Sequence, residues 1–74
     1  MKFDYRKLRG AIVEHCGSQQ EFAKKMGWSE RTMSLKMNSK RYWKQTEISK
    51  ECELLKIEDK DICVYFFKRV VQLN

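Results

Sequence analysis

Residues 18–38, SQQEFAKKMGWSERTMSLKMN, decide the fold because they predict two short helices joined by a tight turn. Ser18 stands three residues before Glu21, which is the spacing of a capping box at the N-terminus of a helix. Ser29 stands before the second apolar run, where its hydroxyl can cap a second helix. The two serines therefore mark two consecutive helix starts.

The turn between the two runs contains a glycine at the position that needs one. Gly27 follows the first run, where a chain leaving a helix requires a positive φ that glycine adopts at low cost. We therefore predict helices over about 19–26 and about 30–37. The apolar side of this pair is supplied by Phe22, Met26, Trp28 and Met33.

This stretch resembles the helix-turn-helix of the lambda repressor and Cro family, and especially small phage-encoded regulators of Gram-positive hosts. The phrases that carry the resemblance are FDYRKLRG (3–10), QQEFAKKMG (19–27), SERTMSLKMN (29–38) and CELLKI (52–57). It implies an all-α, five-helix DNA-binding domain over residues 1–67, with the helix-turn-helix at 18–38. Residues 68–74 would then form a C-terminal tail.

The resemblance also implies which residues contact DNA. The base-facing side of the second helix would consist of Glu30, Arg31, Ser34 and Leu35. The guanidinium of Arg31 matches the O6 and N7 atoms of guanine, whereas Glu30 suits a cytosine amino group better than a phosphate. Contacts to the DNA backbone are expected from Gln19, Gln20, Thr32, Asn38, Lys40, Arg41 and Lys44.

Lys36 departs from the family pattern, because this position of the second helix is usually a core aliphatic. Two interpretations are open: the lysine stem covers the core edge while its ammonium reaches solvent or phosphate, or the helix is slightly rotated. The loop that follows, SKRYWKQ (39–45), interleaves basic residues with Tyr42 and Trp43. We expect both aromatic residues to be structural, with Lys40 and Arg41 facing phosphate.

The flanking segments predict three more helices. The first is expected from an Asp4 N-cap to Cys16, ended by Gly17, and a fifth short helix from residue 58 or 59 to about Phe67. A helix over 45–55 would have a core side and an outward side. Its core side would be Ile48, Cys52 and Leu55, and its outward side would be Glu47, Lys50, Glu51 and Glu53.

The C-terminal residues admit two structures. Residues 62–73, ICVYFFKRVVQL, are rich in β-branched and aromatic types, so the end of this stretch fits either a helix or a short strand. At least one of Phe66 and Phe67 should close the core. The remaining apolar residues suggest a surface for homodimerisation, formed by Phe67, Val70, Val71 and Leu73.

Composition restricts the class of protein further. The chain has 74 residues and a net charge of +6, so its surface attracts polyanions, although plain solubility would explain the charge equally well. The three cysteines are widely spaced and fit reduced core thiols in a cytosolic protein, with no metal site. No cofactor, small-molecule ligand, signal peptide or membrane span is expected. The predicted location is the bacterial cytoplasm, at the nucleoid.

The sequence thus favours a transcriptional regulator that binds an inverted-repeat operator in double-stranded DNA as a homodimer. The alternative is an antirepressor, which keeps the helix-turn-helix fold but binds another repressor rather than DNA. An enzyme is disfavoured because no nucleophile–base pair, paired carboxylates or glycine-rich phosphate loop is present. RNA binding would need exposed aromatic residues for base stacking, and Tyr42 and Trp43 are the candidates.

Overall fold

Five α-helices and one 3₁₀ turn make up the regular structure of residues 2–70, the part of the chain that this computed structural model describes. The elements are α1 (Arg6–Cys16), α2 (Gln19–Met26), α3 (Glu30–Met37), α4 (Gln45–Leu55), the 3₁₀ turn (Asp59–Asp61) and α5 (Ile62–Phe66). The predicted all-α, five-helix fold is therefore confirmed.

The caps of α2 and α3 form where the serines predicted them. The Ser18 hydroxyl accepts a hydrogen bond from the Glu21 N–H at 3.1 Å, and the Ser29 hydroxyl accepts one from the Thr32 N–H at 3.1 Å. Gly27 has a φ of 78°, so it turns the chain out of α2 in the left-handed conformation. Gly27 and Ser29 thus fix the two ends of the turn between α2 and α3, and Ser18 fixes the start of α2.

Helix α1 lies at the centre of the fold, since it packs against α2, α4 and α5. Its inward side chains Leu8 and Ile12 are completely buried, as is Phe22 of α2. The other buried apolar residues are Tyr5, Ala11, Ala23, Met26, Met33, Met37, Leu55, Ile57 and Phe66. One core thus holds the helix-turn-helix against the remaining helices.

Helix α1 begins one residue later than predicted. Tyr5 is the N-cap, and Asp4 instead accepts a hydrogen bond from the Arg6 N–H at 3.0 Å and pairs with the Arg6 side chain at 2.9 Å. These hydrogen bonds from Arg6 lower the pKa of Asp4 to about 2. The Asp4 carboxylate therefore still accepts a hydrogen bond from the first residue of α1, although Asp4 precedes the N-cap residue by one position.

The C-terminal segment runs beside the N-terminus of the same chain. Phe3 and Arg69 form an isolated antiparallel bridge, with hydrogen bonds from the Asp4 N–H to the Lys68 carbonyl and from the Val70 N–H to the Lys2 carbonyl. No longer strand forms within residues 2–70. Of the two structures that the sequence allowed for this segment, residues 68–70 therefore show only a single β-bridge.

Two expectations about buried residues have mixed outcomes. Phe66 closes the core as predicted, whereas Phe67 is 49% exposed and packs edge-on against Phe3. Cys16 and Cys52 are half-buried, but Cys63 is exposed and so is not the core thiol that was expected. Of the predicted dimerisation residues, Phe67 and Val70 are exposed, while Val71 and Leu73 lie outside the described residues.

Residues 2–70 contain neither a membrane-spanning helix nor a cluster of metal-ligating side chains. No helix in that range has the length and apolar composition needed to cross a membrane. Nor does that range contain a group of three or more His, Cys, Asp or Glu side chains arranged to hold a metal ion.

Candidate interaction surface

The outward side of α3 presents the residues that the sequence assigned to base contacts. Glu30, Arg31 and Ser34 are exposed, and Leu35 is half-buried. Glu30 is in the first turn of the helix and makes no ion pair within residues 2–70. This side of α3 therefore carries one free carboxylate next to one guanidinium, a mixed rather than a basic surface.

A groove of about 290 Å³ runs between α2 and α3. Ala23 and Met33, both buried, form its floor. Its rim brings together four predicted site residues from the two helices, namely Gln19, Gln20, Glu30 and Ser34. The groove can therefore receive a side chain that combines an apolar part with a hydrogen-bonding end.

The side chains of three predicted contact residues, Thr32, Ser34 and Asn38, make hydrogen bonds within the protein. The Thr32 hydroxyl lies 3.1 Å from that of Ser29, within the cap of α3. The Asn38 amide donates to the Ser34 carbonyl at 2.8 Å and to the Ser34 hydroxyl at 3.2 Å, at the other end of α3. Thr32 and Asn38 thus make hydrogen bonds at the two ends of α3, which leaves their polar groups less available for a ligand.

The loop over residues 39–44 follows α3 and starts with Ser39 in the left-handed conformation, at φ 59°. The Ser39 hydroxyl accepts a hydrogen bond from the Phe3 N–H at 3.2 Å, which ties the loop to the N-terminal segment. Lys40, Arg41 and Lys44 are all exposed. The three basic residues are therefore free to contact a partner.

The two aromatic residues of this loop have opposite environments. Trp43 packs as expected, with ring centroids 5.7–5.9 Å from those of Tyr5, Trp28 and Phe66. Tyr42 is 88% exposed, so the expectation that it is structural is wrong. Its backbone carbonyl is held inside by Lys36, and this fixes the loop while its ring points to solvent. An exposed aromatic ring on a fixed loop is a side chain well suited to binding.

Lys36 points inward, which neither sequence interpretation anticipated. Its side chain is 4% exposed, and its ammonium donates to Glu47 Oε1 at 2.6 Å and to the Tyr42 carbonyl at 3.0 Å. The ammonium also lies over the rings of Trp28 and Trp43, 4.8 and 5.5 Å from their centroids. Lys36 therefore occupies the core position as a bridge from α3 to α4 and does not reach solvent or phosphate.

The outward assignment of Glu47 and Glu51 on α4 is also wrong. Glu47 is half-buried, and although burial raises its pKa, hydrogen bonds from Lys36 and the Lys44 N–H lower it below the usual value. Glu51 is fully buried, and neither carboxyl oxygen has a hydrogen-bond partner within residues 2–70. Burial, and then the charge of Glu47, raise the pKa of Glu51 to about 9. Glu51 is therefore neutral at pH 7.

A sequence signal for the burial of Glu51 did exist. Glu51 stands three residues after Ile48 and four before Leu55, so it lies on the inward stripe of α4. Lys36 gave a similar signal, because it stands at a core position three residues after Met33. The exposure of Tyr42 had no such signal, because it depends on how the whole loop packs.

These features define a small all-helical domain in which α2, the turn and α3 form a helix-turn-helix. The chain belongs to the family described as "Protein of unknown function (DUF739)", which matches residues 1–69. It is similar to the solution structure of the modulator of repression (MOR) of the temperate bacteriophage TP901-1 from Lactococcus lactis. The two are 49% identical with a TM-score of 0.80, over 96% of this chain and 97% of that one. No curated protein matches this chain.

These comparisons overturn the assignment to the lambda repressor and Cro family. The family that matches is a different one, and the similar phage protein is a modulator of repression. The prediction of a Cro-type, DNA-binding repressor is therefore wrong, and operator DNA as the partner is unsupported. The comparisons favour the alternative, a protein that acts on a repressor. The individual residue assignments on α2, α3 and the loop remain predictions, since no observation tests them.

Proposed function

We propose that this chain modulates repression in a temperate phage by binding a repressor protein. The similarity to the phage modulator of repression, at 49% identity over 96% of the chain, is the observation that carries the proposal. Chains this similar over nearly their whole length share their fold. Action on a repressor through direct binding needs no catalytic group, in keeping with the lack of a nucleophile–base pair in the sequence.

The contact surface that we propose consists of the outward side of α3, the α2–α3 groove and Tyr42. Tyrosine and arginine are enriched among the side chains that dominate protein interfaces, and Tyr42 and Arg31 are both exposed. The groove floor of Ala23 and Met33 offers apolar area within a polar rim, as the centre of an interface does.

Electrostatics favour a protein over DNA at this surface. The unpaired carboxylate of Glu30 repels phosphate, and it stands in the first turn of α3, which would have to approach DNA most closely. A protein partner can place a lysine or arginine against Glu30 and a carboxylate against Arg31. Complementary pairs of this kind give specificity and faster association.

The proposal is tested by titrating the 74-residue chain into the full-length repressor encoded in the same genome, followed by isothermal calorimetry. We expect saturable binding in a defined ratio. Tyr42→Ala should weaken it at least about tenfold, because truncation of an aromatic side chain that an interface buries often costs more than 1–2 kcal/mol. Val13→Ala is the matched control, since Val13 is also exposed but lies on α1, and it should bind like the unaltered chain.

Duplex DNA provides the opposing measurement. The chain alone should bind DNA weakly, without sequence preference, and with strong sensitivity to salt, as expected from its net charge of +6. Sequence-selective binding to an operator together with no binding to the repressor would refute the proposal.

A further inference from the structure

A second groove, separate from the α2–α3 surface, lies between α4 and the segment formed by the 3₁₀ turn and α5. Its volume is about 380 Å³. The apolar part of its lining consists of Ile48, Cys52, Ile57 and Ile62. Ile57 is buried, but the other three are half-buried, so apolar surface remains open to solvent along the groove. Nothing in the proposed repressor contact uses this surface.

The rim of this groove is acidic, although the chain as a whole is basic. Glu53 and Asp59 are exposed on the rim, and neither makes an ion pair within residues 2–70. No lysine or arginine is among the described residues that line it. Burial raises the pKa of the Cys52 thiol, and the charge of Asp59 raises it further.

The dimensions of the groove suit a helix. Gln45 and Glu53 are the first and last residues of α4 that line it, and they are eight residues apart, which corresponds to about 12 Å along a helix. An amphipathic helix that lies in a groove of this length presents anchors at positions i, i+3 or i+4, and i+7. Three such apolar anchors would cover the isoleucines of the floor.

We propose that this groove binds a basic amphipathic helix of a partner protein. Its apolar stripe packs on Ile48, Cys52 and Ile62, and its flanking lysines or arginines pair with Glu53 and Asp59. The two rim carboxylates repel nucleic acid, which removes DNA as the occupant. The site does not overlap the α2–α3 groove, because the two grooves share no residue.

Two synthetic helical peptides test the proposal against the full chain in an NMR titration at low salt. Both carry leucines at i, i+4 and i+7, and one flanks them with lysines, the other with glutamates. The net charge of +6 alone would favour the acidic peptide. We expect the opposite: the basic peptide shifts the amide resonances around Ile48, Cys52 and Ile62, and the acidic peptide leaves them unchanged.

Paired variants provide the second readout. Glu53→Gln with Asp59→Asn should weaken binding of the basic peptide roughly tenfold, the combined effect of two exposed ion pairs. Glu14→Gln with Glu21→Gln removes the same charge from exposed sites on α1 and α2 and should leave binding unchanged. Equal binding of both peptides, or shifts confined to other residues, would overturn the proposal.

Self-association is measured with the same variants. If the chain dimerises in sedimentation and Glu53→Gln with Asp59→Asn abolishes the dimer, the occupant is a second copy of this chain and the proposal is wrong. A chain that stays monomeric while it binds the basic peptide supports the proposal. Repressor binding by the same double variant separates the two proposals, since it should remain unchanged if each surface acts alone.

Discussion

Three ionisable side chains in the α3–α4 contact, Lys36, Glu47 and Glu51, show how burial and pairing act in opposite directions. Lys36 and Glu47 form a short ion pair that also receives the Lys44 N–H, so Glu47 stays ionised. Glu51 has no hydrogen-bond donor within the described residues, so burial keeps it protonated. Lys36 thus pairs with the carboxylate of Glu47, and the carboxyl group of Glu51, which has no such partner, is neutral.

The protonated Glu51 makes stability depend on pH. Its carboxyl ionises near 4.5 in the unfolded chain and near 9 in the folded one, so between these values only the folded state keeps the proton. The free energy of unfolding should therefore fall as pH rises through this window, by about 1–4 kcal/mol between about pH 5 and about pH 8. Glu51→Gln should remove that decrease. Urea unfolding at the two pH values measures it.

Glu53→Gln is the control for this prediction, because Glu53 is exposed on the same helix. That variant should keep the pH dependence of the unaltered chain, so other titrating groups cancel in the comparison. If Glu51→Gln retains the full decrease, Glu51 is not the group responsible. The lowered pKa of Glu47 affects stability only at pH values below about 4.5, outside this window.

Helices α2, α3 and α4 have the bounds that their sequences predicted, because their signals are local. Ser18 and Ser29 bond to groups three residues away, and Gly27 needs nothing beyond its own φ. The inward side chains of α4 were harder to predict, because charge and helical position disagree at Glu51. The position of Glu51 on the inward stripe of the helix determined its burial. A carboxyl that cannot turn away from the core can take up a proton and so avoid a buried charge.

The surface was harder to predict than the core. Tyr42 and Trp43 are adjacent aromatic residues, and only the packing of the whole loop decides which of them is exposed. The function was missed for a related reason. A helix-turn-helix presents the same backbone to DNA or to a protein, so the fold does not choose between these partners.

The end of α4 is strained, and this strain can be relieved. Lys56 occupies the left-handed region at φ 55° and ψ 44°, where a side chain costs roughly 1–2 kcal/mol and glycine costs little. Lys56→Gly should therefore stabilise the protein by about 0.5–1 kcal/mol, after the added entropy of the unfolded chain is subtracted. Thermal unfolding measures the change.

Lys56→Ala separates the backbone effect from the loss of charge. It removes the same ammonium from the end of α4 but keeps the side-chain carbon that causes the strain. We expect it to be no more stable than the unaltered chain. An alanine variant as stable as the glycine variant would attribute the gain to charge and not to conformation.

The charges of the whole molecule act over distances comparable with its size. The radius of gyration is 12.0 Å, and the net charge is +6. Exposed charges repel across the molecule at about 0.01 M salt, where the Debye length is about 30 Å, but much less at 0.1 M, where it is about 10 Å. The folded protein therefore carries a repulsion that salt can screen.

We expect the unfolding temperature to rise when sodium chloride is increased over this range. Lys25→Gln with Lys50→Gln removes two exposed positive charges that make no ion pair within residues 2–70. This double variant should respond less to salt than the unaltered chain. A response of equal size would mean that specific ion binding, and not screening, produces the effect.

The pairing of residues 2–4 with residues 68–70 also determines how the fold carries a mechanical load. The segments are antiparallel, so the Lys2–Val70 hydrogen bond lies nearest the two ends of the described chain and the Asp4–Lys68 bond lies further in. A force that separates these ends breaks the two bonds one after the other, as a zipper opens, and then reaches the Phe3–Phe67 contact. The force needed to begin extending the chain is therefore low, because the two hydrogen bonds bear the force one at a time and never together.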